Sequence, residues 1–196
     1  MVEALQDDMM LQLGLFGVVD PHTLDLDRLN TLAEYLGVLP LDDRNIETLA
    51  ASAGQLKQAY GFAATRHIIA LAEGLCDKGG KKLMVCLLCP TATRQLLHGE
   101  PRYDQPIADY LKEKGLCYFD MNIVHKTDYA AFNLSVEDYM KRYFIGHYSP
   151  AGNHFFAYAL KDHIVNWLDP KPITYRDDGQ QMIHFKGYLP APRPLS

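Results

Sequence analysis

Leu83-Met84-Val85-Cys86-Leu87-Leu88-Cys89, running straight into Pro90-Thr91-Ala92-Thr93-Arg94, is the stretch on which the fold reading turns. The run is apolar without polar alternation, it is entered from Gly79-Gly80, and it is left through a proline. That pattern predicts a strand over 82–89 that is buried on both faces, as strands of parallel sheets are. A helix at about 104–114 and a short strand at 116–120 follow, so the chain reads as α/β with a partial parallel sheet. Cys86 and Cys89 lie three apart in the predicted strand and so point to opposite faces, where they cannot share a zinc ion. Core packing is the expected role of these thiols, and four cysteines without a pairing pattern suit a reducing compartment.

Upstream, an apolar and acidic helix is expected over 2–13. Leu26, Leu29, Leu32, Ala33 and Leu36 recur at helical spacing, with Asp20 or Thr23 as cap and Gly37 and Pro40 as the stop. A longer helix should start near Asp42 or Asp43 and reach Cys76, with weak points at Gly54 or Gly61. Residues 1–53 thus form a helical N-terminal part of one α/β domain spanning 1–170. Downstream, 97–104 reads as a polar loop and His125 to Asp128 as another, with Asp120 a structural acid at a strand end. Ser135 should cap a helix running to Tyr143, since Glu137 and Asp138 occupy the first turn. Residues 171–196 read as a hairpin turning at Asp178-Gly179, followed by an extended, proline-rich tail.

Gly146-His147-Tyr148-Ser149-Pro150-Ala151-Gly152-Asn153 carries the candidate chemistry. Ser149 can cap a helix and Pro150 suits its first turn, because the missing N–H would be unpaired there in any case. Phe156, Leu160, Ile164 and Trp167 then repeat at helical spacing, which pins the helix to a core and fixes His147 on the loop before it. A fixed loop histidine is what a general base requires.

This His-x-Ser/Asn-Pro-x-Gly segment, with an aromatic and alanine-rich helix after it, resembles the last conserved block of the SGNH (GDSL-type) hydrolases. The resemblance covers about the second two-thirds of the chain. It implies a flavodoxin-like three-layer α/β/α fold and an ester or acyl hydrolase, or acyltransferase, in which His147 activates a serine. The implied substrate is a small-molecule ester or an acylated carbohydrate. Thr91 and Arg94, just beyond a strand's carboxyl end, and Asn153 in the histidine block are the substrate-binding candidates.

The family's Gly-Asp-Ser nucleophile motif and Gly-x-Asn-Asp oxyanion motif are absent here, and Phe144 and Ile145 stand where its acid precedes the histidine. An orienting acid would come from elsewhere, for example Asp138 or Asp128. Two explanations fit: the C-terminal portion of a longer hydrolase, or a domain that has lost catalysis and serves as an interaction or assembly module. Either leaves an apolar sheet edge that a second copy, a partner or the chain's own N-terminal segment would cover.

A formal net charge of −5 over 196 residues argues against a nucleic-acid surface. No apolar run is long enough for a membrane span, and the first residues lack a basic secretion signal. The expected location is therefore cytoplasmic, or secreted or periplasmic should a leader precede this sequence. The eight histidines show no His-x-x-x-His pairing, so neither a metal nor a cofactor is expected.

Overall fold

The computed structural model describes residues 24–169; the expected helix over 2–13 and the hairpin and tail over 171–196 lie outside them. The elements in order are α1 (Leu26–Leu36), α2 (Ile46–Lys78), β1 (Val85–Leu87), α3 (Pro90–Leu97), α4 (Gln105–Glu113), β2 (Tyr118–Asp120), α5 (Met121–Tyr129), α6 (Val136–Tyr143) and α7 (Pro150–Trp167).

This architecture corrects the α/β expectation. The described chain is mostly helical, and its sheet is two parallel strands of three residues each, not the middle layer of a flavodoxin-like three-layer α/β/α sandwich. The apolar run that suggested a doubly covered strand is covered on one side only: Leu87 is buried, whereas Cys86 and Leu88 are exposed. Cys86 is thus not a core thiol. Pro90 opens α3 directly after the strand, so Thr91 and Arg94 sit on a helix where a loop was expected.

The described chain divides into two compact units. The first comprises the chain up to Val85 together with Tyr103–Tyr118. Asp25 caps α1 by accepting the Arg28 N–H at 3.1 Å, and Gly37 ends it. Leu29 and Ala33 of α1 pack with Leu49, Ala53 and Leu56 of α2, a cluster closed by Leu41. Fully burying a leucine such as Leu29 or Leu56 is worth about 1.5–3 kcal/mol. Asn30 holds the connection by accepting the Leu41 N–H at 2.8 Å. Asn45 and Thr48 form a capping box at the start of α2. The helix then runs unbroken past Gly54 and Gly61 for 33 residues. An interior glycine costs about 1 kcal/mol relative to alanine, too little to break a helix that is capped and packed. Ile107, Ala108 and Leu111 form the buried face of α4, which packs on α2.

The second unit comprises Cys86–Arg102 and the chain from Phe119 onward. Here α3 packs on α5 and α6, and α7 packs on α5 and α6. The core is Met121, Tyr139, Met140, Tyr143 and Tyr148, ringed by aromatic side chains that include Phe119, Phe155 and Phe156. Asp120 ends β2 and caps α5 at once by accepting the Asn122 N–H at 3.1 Å. The segment from His125 to Asp128, read as loop from its polarity, is therefore helical, and Asn122 and His125 sit on its buried face. Ser135 caps α6 and Ser149 caps α7, with Pro150 in the first turn, as the sequence predicts. Phe156, Leu160, Ile164 and Trp167 are half-buried; the one fully buried residue of α7 is Gly152.

Candidate functional site

His147 lies in a tight turn between α6 and α7. Phe144 and Tyr148 form an antiparallel bridge across it, and Ile145 N–H donates to the His147 carbonyl at 2.7 Å. Gly146, at the corner, adopts φ 94°, a left-handed conformation that side chains oppose. Ser149 ties the turn down twice. Its N–H donates to the Tyr143 carbonyl at 2.8 Å, and its hydroxyl donates to the Arg142 carbonyl at 3.3 Å while accepting the Gly152 N–H at 3.1 Å. Gly152 is needed for closeness rather than for its dihedral: a Cβ there would stand 2.4 Å from the Tyr143 oxygen and 2.5 Å from Tyr148 Cδ1. The motif spacing thus encodes the approach of the α7 start to the end of α6.

The His147 side chain is exposed, with Nδ1 2.8 Å from the Tyr148 carbonyl oxygen. A carbonyl only accepts, so Nδ1 carries a proton, and in the neutral ring the lone pair is then on Nε2. This is the tautomer a base acting through Nε2 requires. A backbone carbonyl thereby orients the ring, in the role that the resemblance would give to an acid. Neither acid proposed for that role reaches it. Asp138 accepts the Ser135 hydroxyl at 2.8 Å, and Asp128 accepts the Tyr139 and Tyr143 hydroxyls at 2.9 and 3.2 Å.

Behind the turn lies a buried network that sequence reasoning missed. His125, with no exposed surface, has Nδ1 3.0 Å from the Tyr139 hydroxyl and Nε2 2.6 Å from the Tyr148 hydroxyl. Tyr139 has one proton, directed at the Asp128 carboxylate at 2.9 Å with the His125 carbonyl as a longer acceptor at 3.2 Å, and both of these only accept. Tyr139 must then accept from His125 Nδ1–H, which leaves Nε2 to accept from the Tyr148 hydroxyl. Every proton in the chain Tyr148, His125, Tyr139, Asp128 has one direction. Burial pulls His125 down to about 4, opposed by the charge of Asp128. Burial likewise raises Tyr148, and burial with the neighbouring Asp128 raises Tyr139 and Tyr143. The phenols stay protonated and the imidazole neutral. The signal in the sequence was the spacing of Asn122 and His125, three apart beside Met121, with Tyr139 and Tyr143 four apart on the next helix.

A second polar cluster joins α3 to the end of β2. Asn122 Oδ1 accepts the Cys89 N–H at 3.0 Å and the Thr93 hydroxyl at 2.9 Å, and its amide donates to Asp120 at 3.1 Å. The buried Arg102 guanidinium pairs with the other Asp120 oxygen. Asp120 serves as helix cap and ion-pair partner, held by groups of its own unit.

The substrate-binding candidates do not converge on His147. Thr91 and Arg94 are exposed on α3, and Arg94 Nε stands 3.8 Å from Glu137, which His98 also approaches. Asn153 is exposed in the first turn of α7. No hydrogen bond or ion pair joins Thr91 or Arg94 to His147 or Asn153 among the described residues. The described serines are all engaged: Ser52 bonds within α2 and holds the Asp42 N–H, while Ser135 and Ser149 are caps. Between α6 and α7 runs a groove of about 410 Å³ lined by Arg142, Tyr143, Ala151, His154, Phe155 and Tyr158.

Among the described residues no cluster of three His, Cys, Asp or Glu could hold a metal ion, and no helix is long and apolar enough to cross a membrane. No family model matches the chain, and neither does any curated protein or solved structure.

Proposed function

We propose that His147 is the general base of an SGNH-type ester or acyl hydrolysis, or of the related acyl transfer. The observation that carries this reading is the Nδ1–H bond to the Tyr148 carbonyl, which leaves Nε2 as a lone-pair nitrogen on an exposed, rigidly tied turn. In the proposed step, Nε2 takes the proton of an attacking hydroxyl as its oxygen bonds to the ester carbonyl carbon. The same proton goes to the departing alcohol oxygen as the carbon–oxygen bond breaks. General acid–base action of this kind is worth about 10²–10⁴-fold in rate. The resemblance makes the hydroxyl a serine's, and with Ser52, Ser135 and Ser149 engaged it comes from outside the described serines. Hydrolysis of p-nitrophenyl acetate and butyrate by the intact chain and by His147→Ala tests the proposal: saturable turnover lost in the variant supports it, and equal rates overturn it.

A second reading, a non-catalytic interaction module, has its own support. On α2, Ile68, Leu71 and Leu75 recur at helical spacing and are 63, 55 and 71% exposed, an apolar stripe of the kind that marks contact surfaces. Concentration-dependent association in analytical ultracentrifugation, abolished by Leu71→Glu and unaccompanied by ester turnover, would favour it.

A further inference from the structure

The groove between α6 and α7 is a shallow, open concavity whose lining carries no acidic residue, in an acidic chain. Its volume of about 410 Å³ falls in the range of small-molecule sites. Its floor is aromatic: Tyr143 and Phe155 stack with centroids 5.0 Å apart, and Tyr158, 65% exposed, extends the apolar wall. Ala151 is the smallest lining side chain. The lining groups that can carry positive charge are Arg142 and His154; no Asp or Glu is among the lining residues, in a chain of formal net charge −5.

The nearby acids are engaged. Asp128 accepts the Tyr143 hydroxyl at 3.2 Å, and Asp162 holds Lys161 at 2.7 Å, whose ammonium also sits 5.0 Å from the Tyr158 ring centroid. Arg142 rests 5.1 Å from the Phe132 ring centroid, which supports its planar guanidinium from one side. A guanidinium presents five donors in a fork that matches a carboxylate; Arg142 also hydrogen-bonds the Tyr143 side chain, and its remaining donors are those a carboxylate would take.

We propose that this groove binds a carboxylate carried on an apolar body, with Arg142 taking the carboxylate and the Tyr143, Phe155 and Tyr158 surface taking the chain or ring. Aromatic surface contributes the non-directional part of the affinity and the cation selects the sign of the ligand. The site does not depend on His147 acting as a base, and its test needs no turnover.

The test is a titration of the isotope-labelled full chain by nuclear magnetic resonance with sodium hexanoate, hexanol and hexylammonium. Hexanoate should shift the Ala151, His154 and Tyr158 amides saturably, and hexylammonium should not. Arg142→Gln should weaken hexanoate about tenfold, as expected for a hydrogen bond between charged groups, while Arg142→Lys restores part of the loss. Tyr158→Ala, at an exposed position that leaves the core untouched, should weaken hexanoate and hexanol alike. Hexylammonium binding as well as hexanoate, shifts scattered away from α6 and α7, or no saturable shift with any of the three ligands would each overturn the proposal.

Discussion

Lowering the pH from 7 to 4 should destabilise this protein through His125. In the folded state burial pulls this imidazole from 6.5 to about 4, while in the unfolded chain it protonates near its ordinary value. Between those values the unfolded state binds the extra proton, so stability is full above pH 6.5 and falls as pH drops toward 4. The gap between 6.5 and about 4 corresponds to about 3–4 kcal/mol at most. The side chain has no exposed surface, and this figure is an upper bound. The carboxylates act in a lower window. Asp42, held at about 2 by its hydrogen bonds to Arg44, and Asp138, lowered by Ser135 and Lys141, contribute stability that is lost only below their ordinary value of 3.8. Urea unfolding at half-unit steps from pH 7.5 to 4.5 would measure the slope. His125→Gln keeps an acceptor and a donor for the two phenols and cannot titrate, so it should flatten the curve across this window. An undiminished slope in that variant would refute the assignment.

Gly152→Ala should cost about 1–3 kcal/mol, as overpacking does, because its Cβ meets the Tyr143 carbonyl and the Tyr148 ring; a thermal melt checks this. Asn122→Ala should cost about 1–3 kcal/mol for each partner left unsatisfied, the Cys89 N–H and the Thr93 hydroxyl, read as a lower urea midpoint with unchanged slope. His147→Ala, at an exposed position, should move stability by less than about 0.5 kcal/mol, so any loss of turnover in that variant reflects chemistry rather than unfolding.

Several helix termini were legible because capping chemistry is local, although Asp25 caps α1 downstream of the expected Asp20 or Thr23, and Asn45 caps α2 just past Asp42 and Asp43. Ser135, Ser149 with Pro150, and Gly37 each bound their helices where the residue types demand. The sheet was not. An apolar run such as Leu83 to Cys89 carries no information about how many of its faces are covered, and here Cys86 and Leu88 face outward while Leu87 alone is buried. Helix α5 was hidden for the opposite reason. Asn122 and His125 look like loop residues until their partners are known, and those partners lie at the start of α3, in α6 and in the His147 turn, 14 to 33 residues away. The position of His147 was readable from its motif. What orients it was not, because the orienting group is the Tyr148 backbone carbonyl, which any residue supplies.

The most direct measurement is steady-state hydrolysis of p-nitrophenyl butyrate by the intact chain, compared with the folded His147→Ala variant under identical conditions. The base assignment predicts saturable turnover in the intact chain and a loss of about 10²–10⁴-fold in the variant. Indistinguishable rates in the two proteins would contradict it.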